Sequence, residues 1–260
     1  MGEASRNKRR ILQAQPCCIY CGGVNKATTI DHMPPITIFD QRRRPRGLEF
    51  SACEPCNSGC RPAEQIIGLI SRVSPDPPDE AGRQELQRLF SEVANNHPDL
   101  YSEMVPTNAQ LAAFQQQQAN LPAGMHPVNA RGPLLNNAMN LFAAKFALAM
   151  HFERTGNIAS TSAVVAGRWY SNHQVYTEGI PEVLLKAIGD PSTLVQGEWS
   201  VGEQFEYAVA LTTSGKKSLS LARFRNAFAV SGMVWDVREP PELEGFPTVR
   251  PGFLRSNSYG

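Results

Sequence analysis

Three stretches decide how the first part of this chain is read: Cys18-Ile19-Tyr20-Cys21, Thr28-Thr29-Ile30-Asp31-His32-Met33-Pro34-Pro35, and Cys53-Glu54-Pro55-Cys56-Asn57. The outer two are C-x-x-C pairs standing thirty-one residues apart. Two thiolates at that spacing fit a tight turn that brings both sulfurs to one ion, and two such turns complete a closed tetrahedral zinc shell. Gly22-Gly23, directly behind the first pair, suits the positive backbone angles of such a turn. A four-sulfur shell leaves no open position, so the zinc expected on Cys18, Cys21, Cys53 and Cys56 is structural. Its binding energy becomes folding energy for a segment too small to be held by an apolar core alone. The competing readings of the four cysteines are a redox pair or chance spacing. Cys17 stands at the wrong spacing for a two-residue knuckle, and with Cys60 it reads as a small buried apolar group or a spectator.

The middle stretch carries different chemistry. Its β-branched run predicts a strand, which Pro34-Pro35 must end because proline cannot donate to the ladder. Neighbouring side chains of a regular strand point to opposite faces, so Asp31 and His32 can meet one ligand only where that regularity is lost, at the strand end. A carboxylate is a hard oxygen ligand suited to magnesium, and an imidazole accepts protons near neutral pH. Asn57 follows the second pair directly and is expected to open a helix, its amide oxygen fixed by the metal-held turn.

Charge and composition frame these motifs. The 260 residues carry a formal net charge of +1, but residues 1–61 hold ten Lys or Arg against five Asp or Glu, and all six cysteines lie there. Clustered cysteine pairs in a chain without a secretory signal point to metal rather than to a disulfide framework. The basic N-terminal arm, with Arg6, Lys8, Arg9 and Arg10, is followed by no apolar segment, and no stretch approaches the ~20 apolar residues of a membrane span. A cytoplasmic location without membrane contact is the expectation. Arg42, Arg43, Arg44 and Arg46 stand between the strand and the second pair, where attraction of phosphate is useful, and Arg61 is a weaker candidate for the same role. The bland reading of such a run is solvated surface.

The order Cys18-x-x-Cys21, Asp31-His32-x-Pro34, Cys53-x-x-Cys56-Asn57 resembles the cysteine-bearing, zinc-stapled branch of the HNH endonuclease family, over roughly residues 15–65. The resemblance implies a ββα-metal fold with one catalytic divalent ion, Mg2+ or Mn2+, beside the structural Zn2+. It makes His32 the general base, with Asp31 and Asn57 the ligands of that ion, and it implies a metal-dependent endonuclease acting on DNA. The family usually has an Asn shortly before the second knuckle, tying down the loop that carries the base. Here that stretch reads Gly47-Leu48-Glu49-Phe50-Ser51-Ala52, without one. Free-standing HNH domains joined to unfamiliar regions also look similar to effectors of bacterial antiviral defence and mobile-element systems. The competing reading is a zinc-knuckle module that binds nucleic acid or protein without cutting.

Beyond Ser74-Pro75-Asp76-Pro77-Pro78-Asp79 the pattern changes, so a boundary is expected there, with an HNH unit over 1–74 and a second domain over 80–260. Leu86, Leu89, Phe90 and Val93 recur at helical spacing over about Glu80 to Asn96. Gln115 to Gln118, beside Pro122 and Pro127, reads as a helix end and loop. From Leu134 to Phe152 the chain is apolar on nearly every side with Lys145 its only charge, a buried helix with a stop at Gly156. Segments from Phe205 to Trp235 read as an antiparallel meander. The fold class expected is therefore α+β: a small zinc-stapled unit, then helices, then strands. The second domain carries no nameable motif; docking of a protein partner or self-association is the expectation for it. Trp169, Tyr170 and Trp235 are assigned to the core, and His97, His126, His151 and His173 are read as structural.

Overall fold

The computed structural model of the chain describes residues 3–74, 78–117, 127–237 and 246–255. The fold is mixed α+β. It begins with α1 (Glu3–Ala14), so the basic N-terminal arm is a helix, packed on the first two strands. Strand β1 (Thr29–His32) ends just before the prolines and pairs antiparallel with β2 (Glu49–Ala52), with His32 opposite Glu49 and Asp31 opposite Phe50. Helix α2 (Glu54–Ser58) starts inside the second cysteine pair because Pro55, which has no N–H to give, fits a helix's first turn. Asn57 therefore sits near the end of α2 rather than opening a helix. Helix α3 (Arg61–Ile70) buries Ala63, Ile66, Ile67, Leu69 and Ile70.

Of the proline-rich break, Pro75–Pro77 lie outside the described residues. Helix α4 (Glu80–Asn96) begins at the far side of it, capped by Asp79, whose side chain accepts the Gly82 N–H at 2.7 Å. Leu89 and Val93 are buried, with Leu86 and Phe90 packed against the core, as their spacing predicts. Two shorter helices follow, α5 (Pro98–Met104) and α6 (Asn108–Gln117). Gln118, Pro122 and His126 lie outside the described residues.

The apolar run becomes α7 (Pro133–Thr155), terminated by Gly156 in the left-handed conformation at φ 68°. After it come β3 (Val164–Ser171), α8 (Asn172–Thr177), α9 (Glu182–Ala187) and the small hairpin β4 (Val195–Gln196) and β5 (Trp199–Ser200). The meander is β6 (Glu206–Leu211), β7 (Lys217–Phe224) and β8 (Phe228–Trp235), which joins β3 and the short β9 (Thr248–Val249) in one antiparallel sheet of order β6-β7-β8-β3-β9.

Helix α7 lies between this sheet and the cysteine-bearing segment, touching β3, β7 and β8 as well as α3 and the turn Ile19–Cys21. Its closeness to the sheet depends on Gly167 and Gly232, cross-strand partners in β3 and β8. A Cβ on Gly167 would lie 2.4 Å from the Ala144 nitrogen, and one on Gly232 would lie 2.5 Å from the Ala147 Cβ. Small residues on both sides let helix and sheet meet at backbone distance. Buried side chains from Cys18 to Leu254 form one cluster, so the segments on either side of the proline stretch share a core through α7. The turn Phe253–Arg255 folds back on α2 and the first cysteine turn, with Leu254 buried and the Gly252 N–H donating to the Tyr20 carbonyl at 2.8 Å.

Candidate metal centre and adjoining cleft

Each cysteine pair is held by a turn that its own sequence dictates. The first closes as a 3-10 turn, Ile19–Cys21, and leaves through Gly22 and Gly23 at φ 67° and 75°, angles that cost glycine little. The second is the start of α2. Strands β1 and β2 bring the two turns together, and the Cys18, Cys21, Cys53 and Cys56 sulfurs all lie within 4.8 Å of one another, all four residues buried. Sulfurs bound at about 2.3 Å to one tetrahedral ion stand about 3.8 Å apart, so little movement separates this arrangement from a closed shell. Asn25 directs its backbone N–H at Cys21 Sγ, 3.4 Å away, and its side-chain amide at Cys53 Sγ, 3.6 Å away.

The acidities of these thiols fit a cation. Hydrogen bonding from Cys56 pulls Cys18 down to about 5, while the same bond pushes Cys56 far up and burial raises Cys21 to about 11. Thiolates gathered this closely repel one another, and a divalent cation offsets that charge. Four buried cysteines this close can hold a metal ion such as zinc. Cys60 is fully buried and Cys17 half-buried, and neither joins the cluster.

Beside the cluster a cleft of about 430 Å³ opens over the end of β1. Asp31, His32 and Asn57 all line it, together with Arg42, Arg44, Arg46, Glu49 and Glu64. Asp31 and His32 leave the strand on opposite sides, Asp31 buried and His32 half exposed, and both reach the cleft because β1 stops there. Asn57 donates from Nδ2 to Thr29 Oγ1 at 3.1 Å, which leaves its Oδ1 as the acceptor on this cleft-lining side chain. Arg43 is outside the lining and stacks over the Trp199 ring at 5.1 Å, tying the arginine loop to the β4–β5 hairpin. Arg61 is also outside it and makes an exposed pair with Glu54 at 3.4 Å.

Asp31 is more heavily engaged than its sequence motif implies. Its Oδ2 accepts a short hydrogen bond from the Tyr20 hydroxyl, and its Oδ1 lies 2.8 Å from Lys145 Nζ, which also lies 2.6 Å from Glu64 Oε1. Lys145 is wholly buried. Burial opposes its charge, but Asp31 and Glu64 outweigh that and hold the ammonium protonated well above the ordinary lysine range. Burial, reinforced by the Asp31 charge, likewise keeps Tyr20 a phenol and a donor. Neither Lys145 nor Glu64 belongs to a local motif. The one signal was Lys145 as the single charge of the largely apolar run from Leu134 to Phe152.

His32 Nε2 is 3.7 Å from Glu49 Oε1, beyond hydrogen-bond length but close enough for the carboxylate to orient the ring. Glu49 is itself fixed by Asn7 of α1, whose Nδ2 donates to Oε2 at 2.6 Å. Burial first, and the Arg44 charge second, lower the His32 pKa from 6.5 against the opposing pull of Glu49, so the ring is neutral at neutral pH. Arg44 is turned inward. Its guanidinium donates to the carbonyls of Met33, Pro34, Pro45, Gly47 and Leu48 at 2.6 to 3.2 Å. The loop that lacks an Asn between Gly47 and Ala52 is thus held by an arginine side chain.

The tryptophans and the remaining described histidines are away from the cleft. Trp169 donates from Nε1 to Asn136 Oδ1 at 2.7 Å, Tyr170 bonds Ser231 at 3.1 Å, and Trp235 is half-buried at the end of β8. His97 meets Gln65 at 3.1 Å, His151 meets Ser218 at 3.0 Å, and His173 lies in α8. No protein-family model matches this chain, and neither curated proteins nor solved structures give a match to it. Among the described residues no helix is long and apolar enough to cross a membrane.

Proposed function

We propose that the protein is a metal-dependent endonuclease that hydrolyses DNA phosphodiester bonds in the cleft at the end of β1. The observation that carries this reading is the convergence of Asp31 and His32, from the end of β1, and Asn57, from α2, on one cleft edged by Arg42, Arg44 and Arg46. The oxygen donors there suit a hard divalent ion: the Asp31 carboxylate and the Asn57 amide oxygen would hold Mg2+ or Mn2+, with Glu64 beside them. When bound, such an ion supplies Lewis-acid stabilisation of charge on the phosphate and the leaving oxygen.

The chain's own residues do the rest. With Nε2 facing Glu49, the nitrogen that His32 offers to water is Nδ1, and the neutral ring takes the proton as the water attacks. Glu49 steadies the imidazolium that results. Arg42 and Arg46, exposed at the rim, attract the phosphate backbone. Cys18, Cys21, Cys53 and Cys56 would hold a structural zinc, which would fix α2, and so Asn57, against β1.

A second reading is favoured by one specific feature. Both Asp31 oxygens already have partners, Lys145 and Tyr20, which suits a zinc-held module that binds nucleic acid or protein without cutting. Supercoiled plasmid incubated with Mg2+ or Mn2+, with and without EDTA, separates the two. Nicking that needs the added ion supports the enzyme; binding without cutting under every ion condition leaves the binding module.

A further inference from the structure

The arginine run 42–46 looks uniform in sequence, yet one member differs from the others in space. Arg42, Arg43 and Arg46 are exposed, whereas Arg44 is half-buried and sends its donors into the protein. The five carbonyls it meets belong to two groups. Met33 and Pro34 follow His32 directly as the chain leaves β1, and Gly47 and Leu48 precede Glu49 directly as it enters β2, with Pro45 between. His32 and Glu49 are cross-strand partners, so the guanidinium ties together the two sides of the connecting loop immediately beyond that pair.

We propose that Arg44 is a positioning residue, a guanidinium staple that fixes His32 against Glu49 by holding the carbonyls on both sides of the strand end. The proposal rests on the nuclease reading for its catalytic consequence, but the staple itself can be tested without activity. A planar fork suits this role because its donors diverge in one plane and so reach carbonyls on both chain segments, which a single ammonium cannot span. The backbone shows what the staple must hold. Gly47 has φ 115° and Leu48 has φ 49°, and a left-handed Leu persists only where surrounding bonds overdetermine it. The Met33 N–H also donates to the Leu48 carbonyl, at 3.0 Å, so this carbonyl accepts both a last rung of the ladder and a bond from Arg44. A guanidinium with this many backbone acceptors is not free to clamp a phosphate, so the phosphate role and the positioning role make opposite predictions.

The experiment compares wild type with Arg44→Lys, Arg44→Gln and Arg44→Ala in the full-length, zinc-loaded protein. Amide hydrogen exchange over residues 32–49 is read first. Positioning requires faster exchange there in all three variants, with zinc content kept and exchange in α7 unchanged; unchanged exchange in this segment overturns the staple whether or not the protein cuts DNA. Plasmid nicking and DNA binding are read second. A misplaced base lowers kcat by about a hundredfold while DNA affinity and its salt dependence stay as in wild type. Arg44→Lys fails as badly as Arg44→Gln, and added guanidinium ion restores part of the kcat of Arg44→Ala. If Arg44→Lys instead retains kcat and Arg44→Gln chiefly weakens binding with a shallower salt slope, Arg44 is a phosphate contact and the proposal is wrong. A wild type that never nicks would sink the nuclease reading and leave the exchange result to judge the staple.

Discussion

Lys145 Nζ lies 2.8 Å from Asp31 Oδ1 across 114 positions of sequence, and both side chains are almost wholly buried. A charge pair in such surroundings is costly to break from one side, because the partner is left charged and dry. Replacing Lys145 with Met is expected to destabilise the fold by about 3–5 kcal/mol. Combining it with Asp31→Asn should restore part of that loss, since the second change removes the orphaned charge. Urea unfolding of the two single variants and the double variant gives the coupling directly, and additive losses would mean that the pair contributes nothing as a pair.

Zinc removal should unfold more than the cysteine turns. Structural zinc sites of this kind are worth about 10–16 kcal/mol in isolated peptides near neutral pH. Native mass measurement is expected to show one zinc per chain, and Cys56→Ser, which breaks the shell at a fully buried sulfur, should lose it. Because α7 packs on the Ile19–Cys21 turn, the loss should also loosen the central helix. Intact α7 protection in zinc-free protein would contradict that linkage.

His32→Ala should lower nicking by about 10²–10⁴-fold, the usual worth of a general base. The side chain is half exposed and its nearest polar partner is 3.7 Å away, so thermal stability and zinc content should be unaffected. Normal cutting by this variant would remove His32 from the mechanism.

Arg42 and Arg46 are expected to act through long-range attraction. Changing either to Ala should weaken DNA binding at low salt and reduce the slope of log K against log salt by about one for each phosphate that is no longer neutralised. An unchanged slope in the double variant would reject the cleft rim as a DNA path.

His151 supplies a pH dependence far from the cleft. Burial lowers its pKa below the 6.5 it takes up in the unfolded chain, so the unfolded state binds more protons in between. Stability contributed by the neutral, Ser218-bonded ring is present above pH 6.5 and is lost as pH falls through the folded value. His151→Gln should flatten the fall in stability below pH 6.5. The slope should shrink rather than vanish, because His32 and His97 are lowered in the same direction.

What the sequence disclosed was whatever has a local signature. The four cysteines that cluster were readable from spacing alone, α4 from the recurrence of Leu86, Leu89, Phe90 and Val93, and α7 from a long run without polar faces and a glycine stop. Asp31, His32 and Asn57 were readable as a pattern, and they do share a cleft. Lys145 and Glu64 were not, because their meaning is a meeting of two helices with β1 that no spacing encodes. Lys145 was conspicuous as the lone charge between Leu134 and Phe152, but nothing in the sequence named its partner. Arg44 was hidden for the opposite reason: four arginines within five positions look alike, and only the path of the loop decides which one turns inward. The Gly167 and Gly232 pair, far apart in sequence and in two different strands, acquires its role only once β3 and β8 are aligned against α7.

The return of Gly252–Arg255 to the first cysteine turn bears on the order in which a ribosome delivers the parts. The cysteines and the His32 strand emerge before Lys145, which follows only when α7 is out, and Leu254 comes more than a hundred residues later still. A nascent chain that has already gathered its four sulfurs still lacks the ammonium for Asp31 and the apolar cover for α2. The cysteine-bearing segment is therefore synthesised well before the helix and the turn that complete its surroundings.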